Sequence, residues 1–307
     1  MNGPFRSPAG HGAPARGDSR AGTLPGVSPS RFAPVAGLAR AWHPEPGIAV
    51  TLVATALAVA TGRPAAGVAA VSAAVLSGQL AVGWLNDFLD AERDIAVGRA
   101  DKPVAAGTVP RRVVRDAAVL AGLACVPLSL LSGVTAGLVH LVGVAAALAY
   151  DVGVKATAAS ALPYAVAFGA LPAFVVLGLP GHPAPPWWLV VGGALLGCAA
   201  HFANVLPDLG DDLAAGVRGL PHRLGPAGSR VAASGLLLAA SLVLALGPGG
   251  GPTPFAVAAL PVAVAALAVG QVLGRGPGSR AAFRAVMVAA GVDVLLLLAA
   301  GPTLVRR

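Results

Sequence analysis

Charged residues are scarce in this sequence, since Asp, Glu, Lys and Arg make up only 11% of the 307 residues. Roughly a quarter of the residues of a soluble domain are charged, so this composition excludes a water-soluble globular protein. Aromatic residues account for only 5%, and no stacking cluster or nucleic-acid-binding motif is present, so we expect no nucleic-acid partner. The two cysteines, Cys125 and Cys198, both lie in apolar segments, which excludes a disulfide framework and a CxxC metal site.

Long apolar segments are abundant instead, and hydrophobic residues make up 56% of the chain. A helix needs about 20 apolar residues to cross a bilayer, and nine segments approach or reach that length. They lie at about 47–61, 65–86, 113–131, 134–150, 158–179, 186–206, 230–247, 253–273 and 282–304. The pattern predicts an all-α polytopic membrane protein, with a domain of nine transmembrane helices over residues 41–307 and the lipid bilayer as its surroundings.

The first 40 residues have a different composition, rich in Gly, Pro, Ser and Arg. A segment with so little to bury is typical of a disordered basic tail. It lacks the apolar core of a cleavable signal peptide, so we expect the first membrane signal to be the apolar segment at 47–61.

The distribution of cations predicts the orientation. With a cytoplasmic N-terminus, 18 of the 21 Lys and Arg residues fall on the inside, which is what the positive-inside rule favours. The net charge of +8 is then explained by the orientation of the chain in the membrane and by attraction of its cytoplasmic cations to anionic lipid. We therefore expect an integral membrane protein, in a bacterial plasma membrane, whose N-terminus faces the cytoplasm.

Carboxylates are concentrated in two clusters, "NDFLDAERD" at residues 86–94 and "NVLPDLGDD" at residues 204–212. Both have Asn-x3-Asp-x3-Asp spacing, formed by Asn86, Asp90 and Asp94 in the first stripe and by Asn204, Asp208 and Asp212 in the second. On a helix this spacing places the three side chains on one face. Asp87 lies close to the first face, whereas Pro207 makes a straight helix less certain in the second. Both clusters end an even-numbered segment, which places them at the cytoplasmic side.

Clustered carboxylates repel one another and are costly to desolvate near a membrane. Mg²⁺ is the simplest counter-charge, because it takes one or two carboxylates and completes its shell with water and phosphate oxygens. Two facing stripes therefore favour a Mg²⁺-bound diphosphate, with Arg99, Lys102 and Lys155 taking the remaining phosphate charge. The alternative is that each stripe is a solvated helix end, paired with Arg93, Arg99 or Arg218. The repeated spacing favours the metal.

With these motifs the sequence resembles the UbiA superfamily of intramembrane prenyltransferases. "NDFLDAERD" is similar to the family's first motif, NDxxDxxxD, and "DLGDD" to its second, DxxxD. The stretches "DKPVAAG", "AYDVGVKATAASALPYAVAFGALP" and "GVRGLPHRLG" also resemble family segments, and the resemblance covers roughly residues 38–304. It implies nine helices around a central cavity opening to the cytoplasmic side, Mg²⁺-dependent ionisation of a prenyl diphosphate, and transfer of the prenyl group to an acceptor.

The resemblance also assigns site residues. It assigns metal and diphosphate binding to the two stripes and to Asp87 beside the first, that is to Asn86, Asp87, Asp90, Asp94, Asn204, Asp208 and Asp212. It implies that Lys155 and Tyr150 contact the diphosphate or the carbocation, and that Arg99 and Lys102 lie on a loop covering the site. Lys155 as a snorkelling cation and Tyr150 as an interfacial aromatic are the alternatives.

Four further polar residues have no settled role in the sequence. Arg40 and His43 precede the first span and are either acceptor contacts or interfacial anchors. His201 is either an acceptor-side base or a packed polar group, and Asp293 is expected to be buried and hydrogen-bonded.

No motif identifies the acceptor, and two alternatives stay open. A terpene cyclase of the same superfamily needs the same ionisation machinery but no acceptor. A transporter or lipid-binding protein without chemistry is disfavoured, because the acids cluster at one membrane face and are not spread along a midplane pathway.

Overall fold

The chain is all-α in the computed structural model, which describes residues 33–96, 98–99, 101–214, 216–249, 251–273 and 281–301. The helices are α1 (Ala33–Ala41), α2 (Pro44–Ala60), α3 (Ala65–Ala96), α4 (Arg111–Leu130), α5 (Val134–Val152), α6 (Leu162–Leu177), α7 (Trp187–Val205), α8 (Leu209–Ala214), α9 (Leu220–Leu246), α10 (Pro254–Leu273) and α11 (Ala281–Ala300). A short 3₁₀ turn, Val154–Ala156, follows α5. Within the described ranges no β-strand is present.

Six of these helices are long and apolar enough to cross a membrane, namely α3, α4, α5, α7, α9 and α10. The pair α1 and α2, bent by 65° at the break between them, counts as a seventh candidate span. α6 is apolar but has only 16 residues. The prediction of an all-α polytopic membrane protein is therefore confirmed, whereas the number of nine spans stays a prediction, although each of the nine apolar segments coincides with a helix.

The outward faces of the helices are apolar, as expected for contact with lipid. On α4, Val119, Leu120 and Leu123 are 54–67% exposed. Small residues allow the helices to approach on the inside, where Ala58 of α2 and Ala74 of α3 are fully buried in one apolar cluster. The polar side chains that remain inside this shell are therefore candidates for function.

The helix α1 lies in the last part of the segment expected to be a disordered tail. It is anchored to α3, since the Trp84 indole Nε1 donates a hydrogen bond of 2.9 Å to the Leu38 carbonyl oxygen. At the corner after α1, a Cβ added to Gly83 would overlap the Trp42 carbonyl oxygen, so glycine permits this close approach. The rest of the predicted tail, residues 1–32, lies outside the described residues.

Two helix ends bring the acidic clusters together. α3 continues to Ala96, ten residues past the end of its apolar segment, and so carries the whole first stripe on one helix. α7 ends at Val205, and α8 begins at Leu209 after the turn that contains Pro207. The second stripe is therefore distributed over two helices and a turn, because proline lacks the backbone donor that a continuous helix requires.

Candidate active site

A cavity of about 530 Å³ contains almost all the predicted site residues. Those lining it are Asn86, Asp90, Asp94, Arg99, Lys102, Tyr150, Lys155, Asn204, Asp208 and Asp212. Its volume falls in the range of small-molecule sites, about 300–1,000 Å³. We call this cavity the polar pocket.

Asp90 is the centre of the first stripe. Its Oδ1 accepts a hydrogen bond of 2.6 Å from Lys155 Nζ. Its Oδ2 accepts bonds from Arg93 Nη2 at 3.0 Å and from Asn86 Nδ2 at 3.2 Å. Three donors on one carboxylate hold it in a fixed position at the wall of the polar pocket.

The two stripes face each other across Arg93. Its guanidinium nitrogens lie 3.9 Å from Asp94 Oδ1 and 3.9 Å from Asp212 Oδ1, in addition to the bond with Asp90. One cation thus contacts carboxylates from both stripes, so the two motifs surround the same volume. The sequence identified Arg93 only as a counter-charge, and its position between the stripes follows from the tertiary fold.

The loop after α3 places two further cations at the pocket. Arg99 donates two hydrogen bonds of 3.0 Å to Asp101, and its Nη1 lies 4.0 Å from Asp208 Oδ1. The hydrogen bonds from Arg99 lower the pKa of Asp101 to about 2, and the same contact raises the pKa of Arg99. Both groups therefore stay charged at neutral pH, and Arg99 faces Asp208 of the second stripe as a cation.

Lys102 joins this loop to the corner between α1 and α2 and to α3. Its Nζ donates to His43 Nε2 at 2.7 Å and lies 3.6 Å from Asp87 Oδ1. His43 and Arg40 also line the polar pocket. Asp87, alone of the predicted set, does not line it: the side chain is 1% exposed and lies behind Lys102. The geometry gives Asp87 the position of a support for Lys102.

Tyr150 lines the pocket and packs on aromatic rings behind it. Its ring meets those of Tyr164 and His201 edge to face, with centroid distances of 5.1 and 5.6 Å. His201 is buried and does not line the polar pocket, and its Nε2 lies 2.9 Å from Ser160 Oγ. Through its ring contact it supports Tyr150 from behind the pocket wall.

Asp293 is fully buried between α9 and α11, where Ser241 Oγ donates a hydrogen bond to its Oδ1. The expectation of a buried, hydrogen-bonded acid agrees with this contact. Asp293 does not line the polar pocket.

Two residues near the site were not identified from the sequence. Asp151 is buried and accepts a 3.0 Å hydrogen bond from Asn86 Nδ2, so it orients the first residue of the first stripe. His222 lines the polar pocket and its Nε2 is 3.3 Å from Asp212 Oδ2. An acid directly after the candidate Tyr150, at the end of an apolar segment, was a signal for Asp151, and His222 lies within the segment "GVRGLPHRLG" that resembles the family.

Comparison with known proteins settles the family. The model of the UbiA prenyltransferase family matches residues 48–298. The chain belongs to this family. No curated protein matches it by sequence.

Solved UbiA structures share the fold. The apo structure of a UbiA homologue from Aeropyrum pernix K1 has a TM-score of 0.65 at 19% identity, over 84% of this chain and 96% of that one. A UbiA homologue from Archaeoglobus fulgidus, bound to DMAPP and Mg²⁺, has a TM-score of 0.66 at 14% identity, over 88% and 99%. A digeranylgeranylglyceryl phosphate synthase gives 0.66 at 13% identity over the same shares. The resemblance stated from the motifs is confirmed at the level of family and fold.

The residues of this UbiA-family site fit Mg²⁺ together with a phosphate ligand. Across the described part of the chain, no three His, Cys, Asp or Glu side chains form a cluster that could hold a metal ion. Mg²⁺ does not need one, because it usually binds one or two carboxylates plus water and phosphate oxygens. Asp94 Oδ2 is buried without a hydrogen-bond partner at the edge of the pocket, as an oxygen available to a cation would be.

Gly219 holds the turn that carries Lys155. A Cβ added at Gly219 would overlap the Lys155 carbonyl oxygen, and the next amide, Leu220 N, donates a 2.8 Å bond to Ser160 Oγ. We expect Gly219→Ala to move Lys155 away from Asp90 and to lower the rate of the UbiA reaction by about 10- to 100-fold. Gly235→Ala, on the exposed face of α9, is the matched control, since its added Cβ meets nothing within 4 Å. Equal rates for the two variants would show that the turn does not position Lys155.

Proposed function

We propose that this chain transfers a prenyl group from a prenyl diphosphate to an acceptor within the membrane, in a Mg²⁺-dependent reaction. The observation that carries the proposal is the position of Arg93, within 4 Å of carboxylates from both stripes. Two motifs that surround one volume suit a single ligand with several negative charges. UbiA homologues from Archaeoglobus fulgidus bound to DMAPP or GPP with Mg²⁺ support the choice of a prenyl diphosphate.

Both stripes serve to hold the diphosphate through metal. The proposed ligands are the pocket-lining members, Asn86, Asp90, Asp94, Asn204, Asp208 and Asp212. Bound Mg²⁺ would neutralise negative charge on the departing diphosphate. Asp87 supports Lys102 from behind and acts on the ligand only through that contact.

The cations act on the leaving group. When the bond between C1 and oxygen breaks, negative charge grows on the diphosphate, and Lys155, Arg99 and Lys102 lie in the wall of the pocket to stabilise it. Lys155 and Arg93, now paired with Asp90, exchange that carboxylate for phosphate oxygens when the substrate binds.

The allylic cation that remains must be kept from water until the acceptor attacks. Tyr150 lies at the wall of the polar pocket and contacts the ring of Tyr164, which in turn stacks on Phe168 with a centroid distance of 6.1 Å; both of these rings are partly buried. Of the three rings only Tyr150 lines the pocket, and the proposal gives it the electron-rich face that stabilises the cation, with Tyr164 and Phe168 packed behind it against water. The acceptor gives up a proton after attack. If the chain cyclised instead, no acceptor would be needed, and the cyclic cation would lose a proton to give a hydrocarbon or capture water and lose a proton to give an alcohol.

The proposal includes the finer architecture expected from the sequence: nine spans, from α2 to α7 and from α9 to α11, around a cavity that opens to the cytoplasm. The cations at the mouth of the polar pocket support this orientation, because the positive-inside rule places them in the cytoplasm. Prenyl diphosphates are too highly charged to cross a bilayer unaided, so a cytoplasmic mouth also suits the substrate.

Product analysis tests the function. The purified protein is incubated with geranyl diphosphate and Mg²⁺, with and without a membrane extract as a source of acceptor. Transfer predicts a prenylated acceptor only when the extract is present, and no product in excess chelator. If geranyl diphosphate alone gives a terpene alcohol or hydrocarbon, the protein is a cyclase and not a transferase. Uptake of intact geranyl diphosphate into vesicles in chelator would instead indicate a carrier.

Labelling of single cysteines tests the orientation. Cys125 and Cys198 are replaced by alanine, and a cysteine is introduced at exposed Ala106, after α3, or at exposed Ala184, between α6 and α7. We expect an impermeant thiol reagent to label Ala106→Cys only in inside-out vesicles and Ala184→Cys in intact cells. The reverse pattern would contradict a cytoplasmic mouth.

Arg93 competes with the metal in this account. Arg93→Gln removes the guanidinium that neutralises both stripes. Because Mg²⁺ then no longer competes with an arginine–carboxylate interaction of roughly 1 kcal/mol, it should bind about 3- to 10-fold more tightly. Electron paramagnetic resonance of Mn²⁺ without substrate measures this directly. Arg112→Gln, which removes a charge outside the pocket, should leave Mn²⁺ binding unchanged. Weaker Mn²⁺ binding in Arg93→Gln would mean that Arg93 organises the site and does not compete for it.

A further inference from the structure

A second cavity lies beside the polar pocket. It has a volume of about 330 Å³ and is lined by Leu213, Arg218, His222 and Arg223. His222 also lines the polar pocket, so one side chain forms part of the wall of both cavities. The cavity is formed by the end of α8, the segment after it and the start of α9.

The two arginines of this cavity carry uncompensated charge. Arg93, Arg99, Lys102 and Lys155 in the polar pocket each have a carboxylate within 4 Å. Arg218 and Arg223 form no ion pair with any residue in the described ranges. Both side chains are exposed, and Arg223 Nε donates a 3.1 Å bond to the Arg218 carbonyl oxygen, which orients the guanidinium; its terminal nitrogens make no hydrogen bond to the described residues. A fixed guanidinium without a carboxylate suits an external anion.

His222 provides a second observation, from the wall that the two cavities share. Its side chain is only 2% exposed, yet neither ring nitrogen has a hydrogen-bond partner among the described residues. Asp212 Oδ2, at 3.3 Å from Nε2, is the charged group that faces it from the polar pocket. Since Nε2 faces Asp212, Nδ1 is the ring nitrogen that a ligand in the second cavity could pair, as buried polar atoms normally are paired.

We propose that this second cavity binds a phosphate group, separate from the diphosphate in the polar pocket. Arginine side chains bind phosphate through paired N–H donors, and His222 adds a donor from the wall when its ring carries a proton towards the cavity. The volume exceeds that of a bare phosphate and leaves room for the group to which the phosphate is esterified. The phosphate belongs either to a soluble compound or to an anionic lipid headgroup.

Binding measurements in chelator distinguish this site from the polar pocket, where diphosphate binding depends on metal. The full chain is placed in nanodiscs of neutral phosphatidylcholine, and inorganic phosphate is titrated by calorimetry. We expect binding that the double variant Arg218→Gln/Arg223→Gln weakens at least 10-fold, whereas Arg112→Gln and Lys155→Gln leave it unchanged. Equal thermal unfolding midpoints for all four proteins establish that the variants fold.

A lipid arm distinguishes the two sources. Phosphatidic acid is added to the nanodiscs, and the lipid retained by the protein is measured by mass spectrometry. The ligand is a lipid headgroup if the unchanged chain retains phosphatidic acid, the double variant does not, and inorganic phosphate does not bind. It is a soluble phosphate if inorganic phosphate binds and phosphatidic acid is not retained. The proposal is overturned if neither probe binds, or if the double variant binds both as the unchanged chain does. None of these readouts depends on prenyl transfer, so failure of the proposed function leaves them interpretable.

Discussion

Replacing Asp90 with alanine is expected to lower prenyl transfer by about 10³-fold or more, and replacing Asp208 to do the same, although the two lie in different parts of the chain. Each change removes a carboxylate from the wall of the polar pocket. Because both stripes are proposed to hold one diphosphate through metal, loss of either leaves the leaving group without its counter-charge. The rate of product formation per folded molecule measures the effect.

Two acids close to these positions serve as controls. Glu92 is two residues from Asp90 but is exposed and paired with Arg111, 2.6 Å away, outside the polar pocket. Asp211, next to Asp212 in α8, is also exposed and does not line the pocket. Alanine at either control position should leave the rate within about twofold, since surface changes away from a site have small effects. A rate for Asp90→Ala close to that of Glu92→Ala would contradict the role of the stripes.

Replacing Lys155 with glutamine is expected to lower kcat by about 10²- to 10³-fold, the size of effect seen when one donor to a developing anion is removed. Lys155 Nζ lies 2.6 Å from Asp90 Oδ1 and reaches the pocket from the 3₁₀ turn after α5. A group that acts on charge formed during the reaction affects kcat more than KM. Steady-state kinetics separate the two, and Lys155→Arg should recover part of the rate by restoring the charge.

A snorkelling lysine would give a different result. If Lys155 only anchored a helix end at the interface, glutamine would leave kcat unchanged and lower the thermal stability instead. A large rise in KM with normal kcat would assign Lys155 to ground-state binding of the diphosphate.

The first stripe was predictable from sequence because it depends on one helix. A spacing of four residues fixes the relative directions of Asn86, Asp90 and Asp94 on α3 without any knowledge of the tertiary fold. The apolar segments were equally predictable, since length and hydropathy are local properties. The second stripe was predictable only in part, because the break at Pro207 depends on how α7 ends and α8 begins.

The remaining features depend on contacts between distant segments. Asp151 meets Asn86 across 65 positions of sequence, and Arg93 meets Asp212 across the pocket. No local pattern specifies which acid a given arginine reaches. The surroundings of Asp87 have the same origin: its position next to Asn86 placed it near the predicted face, and packing against Lys102 buries it behind the pocket.

Binding of a prenyl diphosphate to four proteins tests most directly whether the two stripes hold one ligand. The unchanged chain, Asp90→Ala, Asp208→Ala and the double variant are equilibrated with a radiolabelled, non-hydrolysable geranyl diphosphate analogue, with Mg²⁺ or with chelator. The account predicts that each single variant loses the whole Mg²⁺-dependent part of the affinity and that the double variant binds no more weakly than either, because residues acting as a unit are not additive. Two separate, additive losses of affinity would show that the stripes bind independently and would contradict the shared site.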